Sequence, residues 1–65
     1  MSNAQLLRAL AAAAKKMNAA SLRRRALPPG SSRARVTTAN ARWATACEAH
    51  QRLWAEAQQR GLEVS

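Results

Sequence analysis

Apolar side chains at Leu6, Leu10, Ala13, Met17, Ala20 and Leu27 recur at steps of four and three, with Arg24 as the single polar residue in phase. That spacing is the stripe of an amphipathic helix. A second stripe runs through Val36, Trp43, Ala46, Cys47, His50, Leu53, Trp54 and Ala57. Val36 precedes Trp43 by seven residues, so the second helix begins near Ser31 or Ser32 and not at the Thr37-Thr38 pair. Either serine is a good N-cap. Between the stripes stands the one strong break, Pro28-Pro29-Gly30. Proline disfavours helix at the residue before it, and glycine turns freely. Gly61, just after Arg60, is a natural helix stop.

These signals predict an all-α chain of one small domain: a helix over about 3–26, a loop over 27–31, a helix over about 32–60 and a short tail over 61–65. Composition agrees. Ala, Leu, Arg, Gln, Glu and Lys dominate, Phe and Tyr are absent, and β-branched residues are few, so intrinsic propensity favours helix nearly throughout. Ser2 or Asn3 caps the first helix, and Arg23, Arg24 and Arg25 sit in its last turn, where cations suit the negative end of the helix dipole. On the outer face of the second helix Glu48, Arg52, Glu56 and Arg60 follow one another at four-residue steps, a ladder for weak ion pairs.

Two helices joined by a short loop form an αα-hairpin whose stripes face each other. Many seam positions are alanine, which buries little area, and 65 residues make a thin core. Trp43 and Trp54, eleven residues apart on one face, each bury on the order of 200 Å² when covered. The expectation is therefore a homodimer, a four-helix bundle with Trp43, Leu53 and Trp54 near its centre.

Charge then narrows the function classes. The formal net charge is +8, and residues 1–47 contain nine Lys or Arg and no Asp or Glu. The remainder carries two Arg against three Glu. An acid-free basic part beside a balanced part implies a surface for something anionic. Lys15, Lys16, Arg23, Arg24, Arg25, Arg33, Arg35 and Arg42 are the candidate residues, grouped around the turn and the helix faces leading to it. Arginine presents a planar fork of donors to phosphate, and Ser31, Ser32 and the backbone N–H groups opening the second helix add more. Such a surface binds DNA or RNA through backbone phosphates with little reading of bases. The same charge suits a small regulator or inhibitor, of the kind phages and mobile elements encode, that docks on an acidic patch of a larger protein. A structural peptide of a larger particle is a third reading.

Catalysis finds no support. Cys47 and His50 lie three apart on one helical face, a spacing that holds a metal as two Cys and two His across a dimer axis. Both also fit a core stripe as compact residues, which is the expected role, and no metal or other cofactor is expected. No third residue or oxyanion element accompanies them as a nucleophile pair. No glycine-rich phosphate loop exists. The tryptophans beside arginines also suit base stacking, though their phase with the apolar stripe favours a core role. The run AAAAKKMNAASLRRR has the outline of a helix-turn-helix, with Ala20 to Ala26 as recognition helix. That segment lacks a β-branched anchor and runs directly into Pro28. A single cysteine forms no internal disulfide, and no apolar run approaches the ~20 residues of a membrane span. A cytoplasmic protein without membrane contact is the expectation.

Overall fold

The computed structural model describes residues 1–63; residues 64 and 65 of the expected tail lie outside the described residues. Two helices, α1 over Asn3–Arg25 and α2 over Arg33–Gln59, pack against each other as a hairpin 45 Å long and 16 by 14 Å across. Among the described residues there is no strand.

Local chemistry fixes each helix end. At α1 the Ser2 Oγ accepts the Gln5 N–H at 3.1 Å, and the Gln5 Oε1 accepts the Ser2 N–H at 2.9 Å, a reciprocal capping box. Ser32 caps α2 by accepting the Arg35 N–H at 3.2 Å. The turn between them is built by Pro29 and Gly30. The Ser31 N–H donates to the Pro28 carbonyl at 3.2 Å, and Gly30 sits at φ 84°. Proline at the second position with a positive-φ glycine at the third defines a type II turn. The Ser31 hydroxyl donates to the same carbonyl at 2.6 Å. After α2, Gly61 adopts φ 72°, its N–H reaches the Gln58 carbonyl, and the Leu62 N–H reaches the Ala57 carbonyl, each at 3.0 Å. This paired closure is a Schellman motif, and Leu62 completes it by packing against the cluster that contains Ala57.

The core lies at the end of the rod away from the turn. Leu6 and Ala57 are fully buried, Leu10 joins them, and Leu53 and Leu62 pack against the group. Ala13 is buried one turn further along α1. Leucines converge only at this end. Towards the turn the seam is made by Met17, Ala20, Ala39, Trp43 and Ala46, all half-buried, because alanine is too short to close the space between two helices.

Two members of the predicted α2 stripe fall outside the seam. Val36 is 39% and Trp54 42% exposed. They are eighteen residues apart, five turns at about 3.6 residues per turn, and so share one line about 60° around the helix from Ala57. The contact between two helices covers a narrow arc and misses that line. The helix-turn-helix outline, a poor fit by its sequence, is not formed: α1 continues unbroken through Asn18 and Ala20 to Arg25, so the basic run is its last turn and not a separate helix.

Of the expected ion-pair ladder, one rung forms among the described residues: the Arg60 guanidinium meets the Glu56 carboxylate at 2.6 Å. Arg60 also crosses to α1, donating to the Met1 carbonyl at 2.7 Å and to the Asn3 Oδ1 at 3.2 Å. It fastens the two free helix ends over the leucine cluster. Replacing Arg60 by alanine is expected to cost about 1 kcal/mol, the sum of exposed hydrogen bonds discounted for solvent. Arg52→Ala, which breaks no such link, is expected to leave urea denaturation unchanged; equal losses for the two variants would refute the clamp.

Candidate functional site

The expected basic residues gather at the turn end. Lys15, Lys16, Arg23, Arg24 and Arg25 occupy the last three turns of α1, while Arg33, Arg35 and Arg42 occupy the first three of α2. All eight are exposed, and none takes part in an ion pair among the described residues. The hairpin topology makes one cationic end from two sequence segments that face each other across the turn.

The structure divides these eight by direction. Lys16 and Arg23 from α1 and Arg35 and Arg42 from α2 line one groove of about 1010 Å³ between the helices. Each pair is seven residues apart, about two helical turns, so both helices present two cations along the groove at a separation near 10.5 Å. The surface between them is short: Ala20 of α1 with Ala39 and Ala46 of α2. Thr38 and Thr45, also seven apart, bring hydroxyls to the α2 side. Among the described residues no acidic one lines the groove. Lys15, Arg25 and Arg33 are not among its lining residues, and helical phase aims them elsewhere around the same end.

Arg24 has a different environment. Its guanidinium carbon lies 4.7 Å from the centre of the Trp43 ring. This explains the one polar residue in the α1 stripe: at that level the facing residue is an aromatic ring, and a guanidinium stacks on it within cation–π range. Trp43 is half-buried under this cover, so of the two rings Trp54 has the more accessible face. Leu53, the third residue expected at a dimer centre, packs against the chain's own leucine cluster.

Cys47 and His50 are both half-buried on α2, and Cys47 is a free thiol. No group of three or more His, Cys, Asp or Glu side chains comes together among the described residues in a way that holds a metal ion. The groove itself offers cations, two hydroxyls and methyl groups. It is suited to holding an anionic surface, and among the described residues no carboxylate, imidazole or thiol lines it.

Sequence reasoning found the cations but not the groove. Its signal was the seven-residue recurrence of Lys16 with Arg23 and of Arg35 with Arg42, in register with Ala39 and Ala46. No protein-family model matches the chain, and neither a curated protein nor a solved structure is significantly similar to it. No helix among the described residues is long and apolar enough to cross a membrane.

Proposed function

We propose that this protein is a non-catalytic, cytoplasmic binding module that grips DNA or RNA through backbone phosphates with the basic end of the hairpin, acting as a homodimer. The supporting observation is the concentration of eight exposed cations around one end of a 45 Å rod, none of them neutralised by an acidic neighbour among the described residues. The dimensions favour phosphates over bases. A major groove about 12 Å wide admits one helix, whereas the hairpin is two helices across and as a whole measures 16 by 14 Å between Cα atoms. It sits on the groove edges, where arginines on both flanks meet the two strands. Salt-dependent binding to unrelated duplexes and single strands is the test.

Dimerisation draws on a separate surface. The hairpin exposes 5080 Å², against about 4,000 Å² for a compact chain of this size. The excess is of the order that one partner buries in a standard interface, about 800 Å². Val36 and Trp54 mark the exposed apolar line along α2, about a third of a turn around from the cationic groove. An antiparallel pair along this line keeps the two basic ends apart. Sedimentation at micromolar concentration is expected to show a dimer. Trp54→Ala is expected to convert it to monomer with a loss of about 3 kcal/mol in stability, in the range of large-to-small core changes. A monomeric wild-type protein at that concentration would sink this part of the proposal.

The second reading is a regulator or inhibitor that docks on an acidic protein. It is supported by the alanine lining of the groove, an apolar strip that charged phosphate oxygens do not match.

A further inference from the structure

We infer that the groove between α1 and α2 is a seat for a third helix, supplied by another protein and carrying acidic side chains along both flanks of a small or apolar ridge. The inference rests on the second reading above and names the partner's chemistry.

Three observations lead to it. The first is shape: the groove runs between two helices that are closely filled only at the far end, and it is lined by methyl groups of Ala20, Ala39 and Ala46. A helix approaching two others at 8 to 10 Å needs short side chains beneath it. The second is register. Lys16 with Arg23, and Arg35 with Arg42, repeat at seven residues, as do Ala39 with Ala46 and Thr38 with Thr45. Seven is the repeat with which helices keep one face towards a neighbour, the flanking charges selecting the partner. The third is charge. Four cations border the groove with no acidic side chain among them, so its walls repel a basic helix and attract an acidic one.

A second copy of this chain does not fit. Its net charge is +8, and each glutamate within α2 has an arginine four residues away, Glu48 with Arg52 and Glu56 with both Arg52 and Arg60. No face of the chain presents acids alone at seven-residue spacing. A nucleic-acid strand matches the four cations and leaves the alanine lining uncovered. An acidic helix satisfies both, with carboxylates outward to Lys16, Arg23, Arg35 and Arg42 and its ridge on the alanines. Docked there, it covers half of the eight cations that the phosphate-binding proposal uses, so the two partners compete.

The test uses the full chain and a fluorescent, end-blocked synthetic peptide about three heptads long, with Ala and Leu on its ridge and Glu on both flanks. Saturable binding is expected by anisotropy at low salt, and none is expected for the same peptide with Lys in place of Glu. Arg35→Gln with Arg42→Gln is expected to weaken peptide binding at least about tenfold, the effect of losing close interfacial charge pairs. Ala39→Leu with Ala46→Leu fills the groove with good helix formers and is expected to abolish peptide binding with helix content intact, while a duplex oligonucleotide still binds. Arg25→Gln with Arg33→Gln, both outside the groove, is expected to leave the peptide unaffected and weaken the oligonucleotide. The inference is overturned if the acidic peptide does not bind, if it binds the leucine variant as well as the wild type, or if filling the groove removes oligonucleotide binding to the same extent. The last outcome assigns the groove to nucleic acid. A duplex that fails to bind while the peptide succeeds removes the phosphate reading alone.

Discussion

Leu6→Ala is expected to abolish the cooperative unfolding transition of the hairpin. Among the described residues Leu6 is the one large side chain completely removed from solvent, and Leu10, Leu53, Leu62 and Ala57 assemble around it. Cutting a buried leucine to alanine costs about 2 to 5 kcal/mol, through lost transfer energy and the cavity left behind. A core in this size class contributes only about 3 to 5 kcal/mol in total. The site cannot collapse to recover the loss, because its neighbours on α2 include Ala57, which has no side chain to extend into the space. Circular dichroism during heating is expected to show a broad, low-temperature loss of helix. Leu22→Ala is the control, since Leu22 is 62% exposed and surface changes of this kind stay within about 0.5 kcal/mol. If Leu6→Ala melts with the sharpness of Leu22→Ala, stability resides elsewhere than in the leucine cluster.

That cluster shows what the sequence made legible. The four-three recurrence of Leu6, Leu10 and Ala13 depends on the geometry of a single helix, and the Pro28-Pro29-Gly30 break depends on local backbone preference. Both are properties of neighbouring residues, so helix, turn and hairpin follow without knowledge of the partner surface. The concentration of cations before Glu48 was legible for the same reason.

Other features depend on how the two helices are rotated about their axes, and no spacing within one helix records that angle. Arg24 is a polar misfit in the α1 stripe until Trp43 is seen beneath it at 4.7 Å. Arg60 belongs to a surface ladder by its spacing from Glu56, yet its contacts to Met1 and Asn3 span fifty-nine and fifty-seven residues. Val36 and Trp54 belong to the α2 stripe by phase and lie exposed because the helix contact is narrower than the stripe. The groove is the fullest example. Lys16 and Arg42 share it only because α1 and α2 turn those faces to the same side, while Arg24 goes to Trp43, and Lys15, Arg25 and Arg33 line neither place.

The division of cations has an electrostatic consequence. A single row of charges tracks one strand, but cations spread around the end of a rod present donors to phosphates on either side of it. Each contact then acts as an independent point of neutralisation, and their number is read from the response to salt. Clustering eight unneutralised cations also leaves self-repulsion at this end of the fold, which a polyanion relieves. Binding and stability are coupled through it: a ligand that binds only the folded chain raises the melting temperature in proportion to the logarithm of its concentration.

The phosphate reading is expected to show itself most strongly in that salt response. Arg24, Arg33 and Arg35 sample three environments: stacked on Trp43, outside the groove, and on its α2 wall. Changing all three to glutamine removes up to three phosphate contacts. Each contact contributes about 0.7 to 0.9 to the slope of log affinity against log salt, so the triple variant is expected to flatten that slope by about 2 to 3 units. Helix content is expected to remain, because glutamine is a good helix former and none of the three side chains is buried. Arg52→Gln is expected to leave the slope unchanged, since Arg52 lies on the outer face of the opposite half of α2, between Glu48 and Glu56. Fluorescence anisotropy with a labelled duplex and a labelled single strand over a range of salt concentrations measures the slopes directly. If the wild-type protein binds neither strand form at low ionic strength, or if Arg52→Gln flattens the slope as much as the triple change, the basic end of the hairpin does not serve phosphates.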